Sequence, residues 1–509
     1  MSGLAFLAAL PILAIVVLML FLRWPAARAG LFGLAMTVLL ASVAFRDGTS
    51  TYARVGAVTA TAGALLEAVF TTGTILWILF PALCLHHLQT RTGAVEVLRD
   101  RIRGLSSDRR IVAILVAWFF GLFMEGAAGF GTPVALAAPL LVSTGFQPVQ
   151  AVTLALIGHA AGVSFGAIGT PVLPQVSVTP FSGLEIARAT GLYHSLLGWV
   201  LLLVLVRYAD RAVPATERSP GQVRGWAVLG AALFLAPFFA LSRWVGPELP
   251  TLAGAAVGGL LFVGALRLAR KGKPGAPPAG GAVRGRLLRA AAPYVALVAL
   301  ILFTRLVPAV QQALSGVEWR WTLDGAFAGS VRPLYHPGTM LFLGFFLGAL
   351  YQRARSNEIR GAMAAGARQL VPVSIALVAM LGLSRVMVHA GMIETLALAA
   401  AAVGAAWPLL AAFVGVLGTF VTGSATASNI LFTEFQEATA EHLRLLTLPL
   451  VGAQGFGAAV GNIICPHNLI AGGATVGIAG AEGEVLRRTL PPCIGYAALG
   501  GLLAYLLSA

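Results

Sequence analysis

The sequence predicts an all-α polytopic membrane protein of about 12–14 transmembrane helices, built as two inverted repeats with re-entrant or broken helical hairpins. Three observations carry that expectation. Of the 509 residues, 58% are hydrophobic and only 10% are charged, against about 25% charged in a soluble domain. Apolar runs near the ~20 residues needed to span a bilayer recur along the chain. Two of these runs are interrupted by glycine, proline and polar residues, at 123–133 and at 420–429.

The runs, in order, are 4–22, 31–45, 70–88 and 111–123, then the interrupted stretch 125–143, then 151–169, 192–206, 226–241 and 252–268. After a Gly/Pro/Lys/Arg-rich stretch come 293–310, 339–350, 371–389, 396–405, 409–421, 448–464 and 491–507. The first run has no basic residue before it and is followed by Arg23 and Arg28. It is read as a spanning helix rather than a cleaved signal. Net charge is +15, which at first suggests nucleic acid. The arginines, however, sit in short loops between apolar runs, where they act as topology signals. Placing the clusters at 91–110, 207–224, 267–289, 353–368 and 487–488 on one side gives a consistent alternation, with the N-terminus outside the cytoplasmic membrane. The loop 311–337, with Trp319, Trp321, Glu318 and Asp324, then falls outside, as does Gly246-Pro247-Glu248-Leu249-Pro250.

This organisation divides the chain into a first membrane half (1–269), a cytoplasmic linker (270–290) and a second membrane half (291–509). The halves enter the membrane with opposite sense, and their sequences echo one another. Phe123-x-x-Gly126 aligns with Phe420-x-x-Gly423 at an offset of 297, and Gly162-x-x-x-Gly166-x-x-x-x-Pro171 with Gly457-x-x-x-Gly461-x-x-x-x-Pro466 at an offset of 295. Ordered matches with opposite charge topology point to an inverted repeat.

Broken helices at corresponding positions of two inverted halves mark a transporter's binding site. Their half-helix N-termini present unpaired N–H groups and positive dipole ends that suit an anion. The candidate substrate-binding residues are therefore Gly126, Gly129, Gly131 and Thr132 in the first stretch and Thr422, Gly423, Ser424, Thr426, Ser428 and Asn429 in the second. Their hydroxyl and amide groups fit a small hydroxylated organic anion. For Gly158, Gly162, Gly166, Gly457 and Gly461, close helix packing is an equally good reading.

Ionisable residues inside a membrane are expensive and count as functional candidates. These are Glu67, Glu125, His159, Arg385, His389 and His467. Glu125 lies inside the broken motif and is the candidate proton carrier, with His159, in Gly158-His159-Ala160-Ala161-Gly162, as a second. Arg385 stands in the middle of a spanning run. It is a candidate fork for a substrate carboxylate, or a partner for a buried acid. His86-His87 and His194 are expected at interfaces. Cys84, Cys465 and Cys493 form no ligand cluster and read as buried small hydrophobes. No phosphate loop, HExxH or GxSxG motif is present, so neither an ATP-driven pump nor a soluble-type hydrolase is indicated, and no cofactor or metal is expected.

Glu125-Gly126-Ala127-Ala128-Gly129-Phe130-Gly131-Thr132-Pro133-Val134-Ala135 resembles the signature of the bacterial L-lactate permease family. Ser164-Phe165-Gly166-Ala167-Ile168-Gly169-Thr170-Pro171, Gly246–Pro250, Thr422–Asn429 and Gly461–Pro466 resemble further blocks of that family, in the same order. The resemblance spans nearly the whole chain. It implies carboxylate:proton symport of lactate or glycolate and a fold of the ion-transporter type. The chain departs from the family pattern at Ala425, where an Asp is usual, at Asn462, where a Lys is usual, and at His159-Ala160, where an Asn-Thr pair is usual. A Na⁺-coupled carrier or an organic-anion exporter is the alternative within transport, and a membrane-embedded enzyme is the alternative of another class.

Overall fold

Two long helices, Ala57–Arg91 and Ser356–His389, lie side by side and form a frame for the molecule. At 1.5 Å per residue each is about 50 Å long. The computed structural model describes residues 3–20, 22, 24–45, 50–97, 105–129, 131–214, 223–269, 281–478 and 481–508. Phe130, Arg23, Arg99, Arg101, Arg103 and Arg218, together with the 270–280 portion of the expected linker, lie outside the described residues. Residues 281–290 are already helical, in Gly281–Leu306.

Eleven helices among the described residues are long and apolar enough to cross a membrane. Four shorter apolar helices, including Thr132–Val142 and Pro408–Thr422, accompany them. The frame carries the helices Gly3–Leu20 and Ala26–Ala44 on one side and Gly281–Leu306 and Pro337–Gln352 on the other. The largest core surrounds the interrupted stretches and joins residues 111–266 to residues 411–504.

Each interrupted stretch is a hairpin whose two ends meet at one face. In the first, the helix from Arg109 passes through a π-helical segment, Ile114–Phe120, and ends at Ala127; Thr132–Val142 then returns. Its base is closed by the Arg109 guanidinium, which donates to the Gly145 carbonyl and lies 4.9 Å over the Phe146 ring. In the second, Pro408–Thr422 leads in and Ala425–Leu443 returns. Its base is closed by Trp407, whose Nε1 donates to Gln436 at 3.0 Å and whose ring packs with Ala440 and Leu450.

The last helix, Glu482–Ser508, runs from one base to the other. Near its start, the Tyr208 hydroxyl donates to the Arg488 carbonyl at 2.8 Å. Tyr208 is two residues from Asp210, which pairs with Arg110 at the base of the first hairpin at 3.0 Å. At its end, the Ser508 carbonyl accepts from the Leu446 N–H, beside the base of the second hairpin, at 3.4 Å. The two hairpins thus enter from opposite ends of this helix.

A second interrupted helix follows each hairpin. Pro148–His159 continues as a 3-10 segment, Ala160–Phe165, and breaks before the half-helix Val172–Val178. Thr447–Gly461 breaks before the half-helix Pro466–Thr475. Each half-helix packs against the returning arm of the other hairpin: Val172–Val178 on Ala425–Leu443, and Pro466–Thr475 on Thr132–Val142.

The all-α expectation needs one addition. Trp319–Leu323 and Phe327–Val331 form an antiparallel β-hairpin around Asp324 and Gly325, both left-handed (φ 50° and 63°). An Asp-Gly pair between aromatic and β-branched residues is a strong short-range hairpin signal. The hairpin docks on the frame: the Ala328 N–H donates to Glu67 at 3.1 Å, and the buried Phe327 ring lies 4.7 Å from that of His389.

Several glycines are packing sites. A Cβ on Gly457 would collide with the Ala412 carbonyl, one on Gly461 would come within 2.7 Å of the Val416 carbonyl, and one on Gly158 would collide with the Ala117 carbonyl. Backbone cannot move aside as a flexible side chain can. Replacing Gly457 by Ala is expected to lower stability by about 1–3 kcal/mol, the usual scale of overpacking. Thermal melting in detergent checks this, with Gly73→Ala as the control, because nothing lies within 4 Å of a Cβ there. Equal melting temperatures for the two variants would contradict the packing role.

Candidate functional site

All four helix interruptions meet at one small chamber of about 40 Å³. The first contributes Gly129 and Gly131, the second Gly166, Ala167, Thr170 and Pro171, the third Gly423 to Thr426, and the fourth Asn462 and Asn468. The turns at the two hairpin tips require glycine for a local reason. Gly131 (φ 79°) and Gly423 (φ 73°) hold left-handed backbone, where a Cβ meets the neighbouring carbonyl. Space reinforces this: a Cβ on Gly131 would come within 3.2 Å of Asn468 Oδ1, and one on Gly423 within 3.1 Å of the His467 Cβ.

The second interruption is strained. Ala167 (φ 41°, ψ 54°) and Ile168 (φ 57°, ψ 45°) are both left-handed and both buried. Ile168 is β-branched and tolerates this geometry poorly. Such strain costs of order 1–3 kcal/mol per residue and persists only where the surroundings over-determine it. The surroundings here are the Gly246–Pro250 segment. The Pro247 carbonyl lies 2.7 Å from where a Gly169 Cβ would stand. Glu248, next in sequence, accepts from the buried Arg305 at 2.6 Å, and Arg305 also lies over the Tyr335 ring at 3.7 Å. This clamp joins the chamber wall to the frame helix Gly281–Leu306.

Helices begin and end at the chamber. Thr132, Ala425 and Pro466 each start one, so their N-terminal amides and positive dipole ends converge there. The first-turn N–H groups of Ala425 and Thr426 have no intrahelical carbonyl to bind, and both residues line the chamber. Ser424 accepts from the Ala427 N–H at 3.3 Å and caps the same helix. Asn468 donates to Asn462 at 3.0 Å.

Glu125 is the one ionisable side chain lining the chamber among the described residues. It is 5% exposed, and none of the described residues donates a hydrogen bond to its carboxylate. A Cβ on Gly166 would collide with its Oε1, so that glycine makes room for the acid. Behind Glu125 stands His159, with Nε2 3.9 Å from Oε2. His159 Nδ1 lies 2.8 Å from the Ala155 carbonyl. A carbonyl only accepts, so Nδ1 carries the proton and Nε2 faces the acid.

The other candidate residues take different places. Thr422 donates to the Gly418 carbonyl at 2.7 Å and lines a larger cavity next to the chamber. Ser428 donates to the Gly415 carbonyl at 2.8 Å, and Asn429 to the Pro171 carbonyl at 2.8 Å, so both tie interrupted helices together behind the chamber wall. Gly126 packs against the Leu252 backbone. Thr132 heads the returning arm of the first hairpin.

Arg385 is not brought to the chamber. Its guanidinium pairs with Glu434 on the second hairpin, which also accepts from Ser384 at 3.0 Å. One turn on, His389 pairs with Glu67 at 2.9 Å. Glu434 is a buried acid that the sequence reasoning missed, because its partner lies 49 residues away. His194 also departs from expectation. It is fully buried rather than interfacial, between Ser164 at 2.9 Å and the Tyr496 hydroxyl at 3.1 Å. Asn462 and Asn468 escaped notice as chamber residues, although Pro466 signals the break between them. The three cysteines are free and buried, as expected.

A cavity of about 890 Å³ adjoins the chamber, sharing Gly423, Ser424 and Thr426 with it. It is lined mainly by apolar side chains from both frame helices, the tip of the second hairpin and the half-helix from Pro466, and it reaches Glu482 and Leu486 at the start of the last helix.

A family model for L-lactate permease matches residues 4–509. The chain belongs to the L-lactate permease family. The L-lactate permease of Streptococcus iniae is 31% identical over 87% of this chain and 92% of its own length. The glycolate permease GlcA of Escherichia coli K12 is 28% identical over 99% of this chain and 95% of its own. Among solved structures, the fold is shared with Neisseria gonorrhoeae MtrF (TM-score 0.54, 14% identity, 97% of each chain). It is also shared with the YdaH transporter of Alcanivorax borkumensis (TM-score 0.51, 15% identity, 97% of this chain and 98% of that one). The permease is a multi-pass inner-membrane transporter of small monocarboxylates, and an enzymatic role has no support.

The Arg385–Glu434 pair generates a prediction. Removing one partner of a buried ion pair strands the other charge, at a cost of about 3–5 kcal/mol. Arg385→Gln in the permease is expected to melt far below the native protein, and the double variant Arg385→Met/Glu434→Leu to recover most of the loss. A fully stable Arg385→Gln protein with weakened substrate binding would instead place the guanidinium on the substrate.

Proposed function

We propose that the permease is a secondary carrier that moves a small 2-hydroxy monocarboxylate of the lactate and glycolate type together with a proton. One observation carries the coupling. A buried carboxylate that receives no hydrogen bond from the described residues faces a chamber ringed by helix N-termini. Two carboxylates about 4 Å apart repel by roughly 4 kcal/mol at an effective dielectric constant of 20. A substrate anion therefore loads only when Glu125 is protonated, and Glu125 releases its proton only when the anion has left. Proton and anion travel together for that reason.

The chamber suits a small acid. Its volume of about 40 Å³ is on the scale of about three water molecules, enough for the carboxylate and hydroxyl of a two- or three-carbon acid. The amides at Ala425 and Thr426 and the hydroxyl of Ser424 face the carboxylate in this reading, and Asn468 faces the hydroxyl. Gly129, Gly131 and Gly423 let backbone approach closely. His159 holds the proton of Glu125 during exchange, with Nε2 as its acceptor. The names of the relatives, L-lactate and glycolate permeases, support the substrate class.

The halves on either side of 270–290 are read as inverted repeats about the chamber. Their hairpins enter from opposite ends of the last helix, and their half-helices pack reciprocally. The arginines at 487–488, next to the cavity-lining Leu486, support a cytoplasmic side for that cavity by the positive-inside rule. Helix C-termini also converge on the chamber, and their carbonyls favour Na⁺ as a second reading for the coupling ion.

Purified permease in liposomes tests this with labelled L-lactate under an imposed pH gradient or an imposed Na⁺ gradient. Accumulation driven by the pH gradient alone is expected, and accumulation under neither gradient would contradict the function. In Glu125→Gln, lactate exchange is expected within about threefold of native, because the neutral amide mimics the protonated acid, while pH-driven accumulation is lost. Asn468→Ala is expected to raise KM by about tenfold, the scale of one hydrogen bond to a charged or buried group. An unchanged KM would remove Asn468 from the substrate.

A further inference from the structure

The large cavity meets the chamber at the tip of the second hairpin, with His467 beside the junction. His467 is the second residue of the half-helix Pro466–Thr475. Its neighbour Asn468 is buried and lines the chamber, whereas His467 is exposed to the cavity. The side chain lies beside both hairpin tips. A Cβ on Gly131 would lie 3.6 Å from its Nε2, and one on Gly423 3.1 Å from its Cβ. His467 therefore stands in contact distance of both hairpin tips.

Chemistry singles out the same residue. Among the described cavity-lining side chains only His467 and Glu482 are ionisable. Glu482 stands at the mouth and is an acid that already has a partner. His467 stands at the inner end, and none of the described residues hydrogen-bonds its ring. Among the described residues, an anion crossing this mostly apolar cavity meets two N–H-bearing side chains, Trp24 and His467, and of these His467 adjoins the chamber.

We propose that His467 is the threshold residue of the transport path: its imidazole takes the substrate carboxylate from the large cavity and passes it between the hairpin tips into the chamber. The inference rests on reading the chamber as the substrate site. Neutral imidazole serves as a hydrogen-bond donor through its protonated nitrogen, so the contact needs no change of charge.

The test uses the full-length permease in liposomes and measures exchange of labelled L-lactate. Native protein that fails to exchange lactate at all defeats the proposed function and not this assignment. With native exchange in place, His467→Ala is expected to raise the exchange KM about tenfold with the maximal rate within twofold. His467→Gln, which keeps an N–H donor of similar reach, is expected to return KM to within about threefold of native. A change of KM under twofold in His467→Ala, or no recovery in His467→Gln, overturns the proposal.

A second measurement is independent of activity. In a background with Cys84, Cys465 and Cys493 replaced by Ala, His467→Cys is labelled with a cationic methanethiosulfonate. Labelling slowed at least fivefold by saturating lactate is expected. Labelling that lactate leaves unchanged overturns the proposal, as does a residue at 467 that the reagent cannot reach.

Discussion

Hydrocarbon cannot solvate a backbone N–H or C=O, and this permease interrupts four helices inside its membrane-spanning core. Every free helix end must find a partner in protein or face a polar cavity. The fold meets this requirement by gathering the interruptions at one place. Side chains satisfy part of the load: Asn429 holds the Pro171 carbonyl, Ser428 the Gly415 carbonyl and Thr419 the Ala458 carbonyl. What is left open surrounds the chamber. The remaining polar ends line the proposed site, and the hairpin geometry, the reciprocal half-helix packing and the strained turn at Ala167 and Ile168 hold them there.

Two buried carboxylates show how surroundings separate a paired acid from one that accepts no hydrogen bond from the described residues. Glu434 sits between Arg385 and Ser384, with its charge compensated and its oxygens bonded. It fastens the second hairpin to the frame. Glu125 has no such partners among the described residues and borders the chamber, where under the proposed coupling an incoming anion decides whether it can ionise. The difference follows from what faces each acid, since both are almost fully removed from solvent.

Much of this was visible in the residues themselves. Gly129, Gly131 and Pro133, like Gly423 and Ser424, announce broken helices because few other residues tolerate those turns in an apolar run. Glu125 stood out because an acid in such a run is costly. Other features stayed hidden for physical reasons. The Arg385–Glu434 and His389–Glu67 pairs join distant segments, and nothing local in either sequence encodes the partner. His194 sits amid a long helix that could present it to lipid headgroups or to the core, and only packing places it against Ser164 and Tyr496. Ala167 and Ile168 have no local preference for left-handed backbone; the Pro247 carbonyl and the Glu248–Arg305 clamp impose it. The β-hairpin had a signal in Asp324-Gly325, overshadowed by the helical character of the rest.

The convergence of four helix ends on one anion site is tested most directly by a cryo-electron microscopy structure of the permease at saturating L-lactate. Density for a small acid is predicted between Gly131, Ser424 and Asn468, with its carboxylate toward the amides of Ala425 and Thr426 and with Glu125 within about 4 Å, close enough for the repulsion that couples proton to anion. A chamber that stays empty while density for lactate appears at Arg385 or elsewhere in the protein would contradict it.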